Sequence, residues 1–184
     1  RQRQMCIRDR PGTGDPRRAM PPFAEGGGKR KASGFIGYNR NKKSLALNLR
    51  KPEGKEIFQT LAASADVVVE NLRPGSMAKQ GLDFKNMQAL NKKLIWAAIS
   101  GFGQMDGYRG PYSDRPAFDI VAEAMGGIMD LTGDPFGPPM KPGVAYADLF
   151  TSLYSVVAIQ SALLAKEKSL NRLYVEDTGL HQGK

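Results

Sequence analysis

The chain has 184 residues, 41% of them hydrophobic, enough for one ordinary domain with a packed core. A single cysteine, Cys6, excludes an internal disulfide framework and fits a reducing, cytoplasmic setting; with one histidine, His181, a Cys/His zinc site or a histidine-based catalytic pair is disfavoured. The net charge of +9 suggests nucleic acid, but residues 1–43 hold twelve Lys/Arg and three Asp/Glu while 44–184 hold fifteen of each, so the basicity belongs to an N-terminal arm on a neutral body.

Residues 1–10, RQRQMCIRDR, show no apolar period, no turn logic and no apolar core of a signal peptide. They read as disordered native chain or as a non-native remnant. Residues 11–33 are rich in Gly, Pro and charge, so 1–33 reads as a disordered basic arm, solvated or holding RNA. The neutral body favours the solvated arm and no nucleic-acid partner. GGGKRK at 26–31 is Gly-rich and basic, yet it lacks P-loop spacing and follows no strand.

Order is expected over 34–168, with 169–184 a truncated tail. Residues 44–49 (SLALNL) alternate as a strand does. Pro52 opens a helix to about 64, its missing amide proton costing nothing in a first turn, with Ile57, Leu61 and Ala62 as the expected buried face. DVVVE at 66–70 is a β-branched run of the kind found in buried parallel strands. A tight turn follows at 71–75. Short helices are expected at 76–80 and 83–90, parted by Gly81. LIWAAIS at 94–100 is a third apolar strand. The Gly-rich stretch 101–115 is too long for an ordinary connection and reads as a functional loop. A helix is expected over 117–131, then a Gly/Pro loop over 132–145.

A long helix starts at Asp148 and runs to 168. Leu149, Leu153, Val156, Val157, Leu163 and Leu164 recur at helical spacing and mark the face expected against a core. No apolar run approaches the roughly 20 residues of a membrane span. Asp148 stands where an N-cap should stand, so its carboxylate either caps the helix or, beside small residues that admit a ligand, serves as a nucleophile. Alternating strands and helices imply an α/β fold with a parallel sheet, and ligands bind beyond the carboxyl ends of such strands. Arg50 and Arg73, with Asn48 and Asn71 beside them, fall at successive strand ends. They are either a cradle for phosphates or solvated loop charges.

NRNKKSLALNLRKPEGKEIF at 39–58, ADVVVENLRPGSMAKQGLDF at 65–84, LIWAAISGFGQ at 94–104 and YADLFTSLYSVVAIQSALLA at 146–165 resemble the class III CoA-transferases. This is the CaiB/BaiF-like family, related to formyl-CoA transferase, and the similarity runs over about 11–167. The resemblance implies a Rossmann-like large domain, a smaller domain and two chains interlinked as rings. It implies transfer of coenzyme A from an acyl-CoA thioester to a carboxylic acid, with the thioester as substrate and no permanently bound cofactor. Asp148 carries over as the nucleophile, forming a mixed anhydride and then an aspartyl-CoA thioester. CoA contacts carry over to Leu47, Asn48, Leu49 and Arg50, to Asn71, Leu72 and Arg73, to Lys79, and to Arg115, Pro116, Ala117 and Phe118. No metal is implied.

In the related α-methylacyl-CoA racemases a proton-moving histidine falls where this chain has Phe118. Racemisation on the same scaffold is therefore the disfavoured alternative, beside a non-catalytic fragment. The resemblance also places a first strand and helix before residue 11 and a small domain with a glycine-rich loop after 184. The chain thus reads as the middle of a protein roughly twice as long, inactive as this piece alone.

Overall fold

The computed structural model describes residues 5–9, 11–24, 31–105, 107–167 and 174–178. The chain divides into two compact units, Arg1–Phe58 and Gln59–Lys184. The expectation for GGGKRK lies outside the described residues, except for Lys31, and so does His181.

The first unit carries β1 (Met5–Asp9), a 3-10 turn (Pro16–Ala19), β2 (Phe23–Ala24), β3 (Lys31–Ala32), α1 (Ser33–Tyr38), β4 (Lys42–Ala46) and the start of α2 (Pro52–Ser64). β1 and β4 form a parallel pair, and β2 and β3 an antiparallel one. This corrects two expectations. Residues 5–9 form a strand although they show no apolar period, because strand pairing uses backbone groups that any sequence carries. The 44–49 strand begins earlier, at Lys42, and pairs with β1 instead of extending one sheet through 100. Leu47 and Leu49 are buried just beyond it. Arg17 and Arg18 stack over the rings of Tyr38 and Phe35, which pins the 3-10 turn to α1.

The second unit holds a three-stranded parallel sheet in the order β5-β6-β7, made of β5 (Val67–Glu70), β6 (Ile95–Ser100) and β7 (Tyr174–Thr178). Between β5 and β6 lie a 3-10 turn (Ala78–Gln80) and α3 (Phe84–Leu90). α4 (Asp119–Met125) and α5 (Tyr146–Glu167) lie between β6 and β7. The α/β class and parallel pairing agree with the sequence. β6 is central and its Ile95, Trp96, Ala97 and Ala98 are buried, which explains a strand that is apolar throughout. Leu82, Met87 and Leu94 complete this core. Gly81 takes a positive φ of 70° at the end of the 3-10 turn, a conformation that glycine adopts without steric cost.

The expected core faces of two helices are corrected. On α2 the buried positions are Gly54 and Ala62, four-residue multiples apart, and Ile57 and Leu61 are exposed. The small residues win because α2 lies close to the chain beneath it: a Cβ on Gly54 would stand 2.1 Å from the Asn48 carbonyl oxygen. α5 likewise buries Ser155 and Ala162, whereas Leu149, Leu153, Val156, Val157 and Leu164 are exposed. At 22 residues α5 is also long and apolar enough, by length and composition, to cross a membrane, contrary to the expectation that no run approaches that size.

Candidate functional site

The carboxyl ends of β5 and β6 lie side by side, so Asn71–Arg73 and the loop from Gly101 emerge at the same edge of the sheet. Asn71 and Arg73 are exposed there, and Leu72 is half-buried. Glu70 holds this turn: its carboxylate accepts the Leu72 amide at 2.8 Å and the Gln104 side-chain amide at 3.2 Å. Burial raises the Glu70 carboxyl above the usual glutamate range, and these two bonds offset part of the rise. Glu70, Met77, Trp96 and Met105 line a cleft of about 560 Å³ beside the turn. Lys79 is exposed on the 3-10 turn, its amide donating to the Gly75 carbonyl.

In the first unit the turn after β4 is shaped by Asn48, whose side-chain oxygen accepts the Arg50 amide at 3.1 Å. Asn48 and Arg50 are exposed, whereas Leu47 and Leu49 point into the core and have little side chain to offer a ligand.

The loop at 101–115 is anchored at both ends. Phe102 and Tyr112 meet edge to face with centroids 5.5 Å apart, and the buried Ser113 hydroxyl accepts the Gly110 amide and donates to the Phe102 carbonyl. Arg115 lies over the Tyr112 ring at 4.6 Å. Gly101 lets this loop close onto the next one: a Cβ there would stand 2.2 Å from the Ala117 Cβ. Phe118, the residue before α4, is 81% exposed. Ala147 packs with Ala117, Tyr112 and Val121 onto Phe102 and Ala122. That cluster brings Ala147, the neighbour of Asp148, and Ala117 of the 115–118 segment onto the same core.

Asp148 is not the N-cap of α5. The helix starts at Tyr146, and Asp148 lies in its first turn with an exposed side chain. Capping comes from α4 instead. Glu123 Oε1 accepts the Tyr146 amide at 3.1 Å and Asp119 Oδ1 accepts the Asp148 amide at 3.3 Å. Asp119 and Glu123 are four residues apart, one turn of helix, so both carboxylates face the same way. Lys141 Nζ lies 3.2 Å from Asp119 Oδ2 and 3.5 Å from Glu123 Oε2. Desolvation pulls the Lys141 ammonium down, and these two carboxylates outweigh it, so its pKa is raised.

The residues that sequence reasoning missed are therefore Glu123 and Lys141. A signal existed: two acids at helical spacing beside a lone lysine in a Gly/Pro loop. Only the fold places them on the first turn of α5.

The description of CoA-transferase family III matches residues 8–171. The chain is 44% identical over 164 residues to a succinate–glutarate CoA-transferase of Agrobacterium fabrum, covering 88% of this chain and 40% of that one. It is 39% identical to a human succinyl-CoA:glutarate CoA-transferase, covering 91% of this chain and 37% of that one. The crystal structure of a CaiB/BaiF family protein from Brucella suis superposes with a TM-score of 0.86 at 42% identity, over 95% of this chain and 45% of that chain. The chain thus spans about two fifths of the length of the curated relatives it matches. It belongs to CoA-transferase family III.

Proposed function

We propose that the protein carrying this chain transfers coenzyme A from an acyl-CoA to a free carboxylic acid, with Asp148 as the nucleophile. The observation that carries the reading is the placement of Asp148. It is exposed in the first turn of α5, its amide is held by Asp119, and its neighbour Ala147 shares a core cluster with Ala117. The helix dipole favours an ionised carboxylate in that turn.

The Asp148 carboxylate attacks the thioester carbonyl. The C–S bond breaks, which yields an aspartyl–acyl anhydride and the CoA thiolate. The thiolate attacks the aspartyl carbonyl, releases the donor acid and leaves an aspartyl-CoA thioester. The acceptor carboxylate attacks that thioester, forming a second anhydride and freeing the thiolate again. The thiolate then takes the acceptor acyl group and Asp148 is regenerated. The overall reaction exchanges one thioester for another of similar energy through more reactive anhydrides, and a thiolate held in place returns as if intramolecular.

Asn71, Leu72, Arg73 and Lys79 at the sheet edge, Arg115 to Phe118, and Leu47 to Arg50 after β4 are the proposed CoA contacts. Arg50, Arg73, Lys79 and Arg115 bring the positive charge that phosphates need. The names of the relatives support dicarboxylic partners, succinyl-CoA as donor and glutarate as acceptor. We place the enzyme in the cytoplasm as an interlocked homodimer. The exposed apolar face of α5 supports burial by further protein.

The test uses a polypeptide of the relatives' length carrying residues 1–184. After mixing with succinyl-CoA, intact-mass analysis is expected to find an acyl or CoA adduct that maps to Asp148. Both Asp148→Ala and Asp148→Asn should abolish it. Absence of the adduct together with deuterium entering the α-carbon of a thioester would overturn the transferase reading in favour of racemisation.

A further inference from the structure

The geometry points to Lys141 as a positioning residue for Asp148, acting through the carboxylates of Asp119 and Glu123. This inference rests on the reading of Asp148 as nucleophile. Three observations lead to it. First, the two carboxylates each spend one oxygen on a backbone amide of α5, those of Tyr146 and Asp148. Secondly, the remaining oxygens, Asp119 Oδ2 and Glu123 Oε2, are buried and make no hydrogen bond of good geometry among the described residues. The Lys141 ammonium, at 3.2 and 3.5 Å, compensates them as a charge. Thirdly, the lysine is itself fixed. Its ammonium also donates to the Pro142 carbonyl at 3.3 Å, Pro142 is buried, and the Met140 amide bonds the Met129 carbonyl at 2.9 Å.

The charges explain why one lysine matters. Asp119, Glu123 and Asp148 are three carboxylates around one helix start, with Lys141 the cation that ion-pairs with the first two. Without it Asp119 and Glu123 repel each other across one turn of α4 with their free oxygens desolvated. Swinging out toward water relieves this and withdraws a capping oxygen, either from the Asp148 amide or from the Tyr146 amide, which also meets the Val144 carbonyl at 3.0 Å. Asp148 would then lose the support that fixes its backbone. A displacement of about 1 Å at a reacting group is enough to cost about a hundredfold in rate. The same clamp occupies Asp119 with the Asp148 amide and Lys141, which leaves it poorly placed as a proton-transfer base.

The experiment compares Lys141→Met and Lys141→Arg with the parent in a polypeptide of the relatives' length. It reads the rate of adduct formation on Asp148 with succinyl-CoA, the affinity for CoA, and hydrogen exchange of individual α5 amides. Lys141→Met should slow the adduct by about tenfold or more with CoA affinity within about twofold. Exchange should quicken at Tyr146 and Asp148 but not at Ser155 or Ala162. Lys141→Arg should restore both readouts, since its charge meets the same two oxygens. The inference is overturned if Lys141→Met forms adduct at the parent rate. It is equally overturned if adduct rate and CoA affinity fall together with faster exchange along all of α5, or if arginine rescues no better than methionine. Should the parent itself form no adduct, the nucleophile reading fails, and exchange confined to the two first-turn amides still decides for the clamp, uniform or unchanged exchange against it.

Discussion

Two helices of the second unit begin in opposite ways. At α3 the cap is local: Asp83 Oδ1 accepts the Asn86 amide at 3.0 Å, three residues further along the same segment. At α5 the caps are lent by α4, Glu123 to the Tyr146 amide and Asp119 to the Asp148 amide. A local cap fixes where a helix starts along the chain. A lent cap also fixes that start against another helix, so the place of Asp148 is a tertiary property. The two kinds of cap should fail differently.

The largest effect should follow from removing Glu123, because its side chain is buried and serves both the Tyr146 amide and Lys141. Glu123→Ala should cost about 1–3 kcal/mol in urea unfolding, the loss expected when a buried side-chain acceptor is taken from its donor. Glu123→Gln retains an acceptor for Tyr146 and should cost less than half as much. Equal losses in the two variants would mean that the charge facing Lys141, and not the lent cap, carries the effect of Glu123.

Next comes the seat of α4 itself. A side chain on Gly101 collides with the Ala117 Cβ, two residues before Asp119. Gly101→Ala should cost about 1–3 kcal/mol by overpacking and weaken CoA binding through displacement of residues 115–118. The double variant Gly101→Ala/Ala117→Gly should recover most of both, a coupling that a double-mutant cycle measures. Additive losses would show that the contact is relieved by movement elsewhere.

Much of the fold was legible in the sequence because it depends on local rules. LIWAAIS reads as a strand apolar throughout, Pro52 as a helix start, 83–90 as a short helix and Gly81 as a break, and each holds in the structure to within a residue. What was not legible depends on distance between elements. The stripe of Leu149, Leu153 and Val157 has the period of a core face, yet period alone does not say which side meets the sheet. Ser155 and Ala162 take that side, where their size permits close approach. For the site, Asp148 was found from its junction with the Gly/Pro loop, but the cap position is Ala145, three residues earlier. The true caps lie 25 and 29 residues away from Asp148 in sequence, counting from Glu123 and Asp119, and no local pattern links them.

A smaller effect is expected at the local cap of α3. Asp83→Ala should cost about 1 kcal/mol and leave adduct formation at Asp148 unchanged, since only α3 loses an acceptor. A drop in adduct rate matching that of Glu123→Ala would erase the distinction between the two helix starts.

The smallest effect belongs to Glu70, which also holds its own segment, through the Leu72 amide. Its position differs from that of Asp83 in being half-buried, and desolvation raises its pKa above the ordinary 4.5 despite the two hydrogen bonds. An acid with a raised native pKa binds its proton more tightly folded than unfolded. Its contribution to stability is therefore greatest at low pH and declines as pH rises from near 4.5 through the native pKa, then stays level. Glu70→Gln keeps an acceptor for Leu72 and removes the titration. Its stability relative to the parent should thus increase between about pH 4 and about pH 7, followed by urea unfolding at each pH. A margin that is constant across that range would mean that Glu70 is as well solvated folded as unfolded. A margin that decreases would mean that its bonds to Leu72 and Gln104 outweigh burial, and the turn at Asn71–Arg73 would then rest on a charged cap.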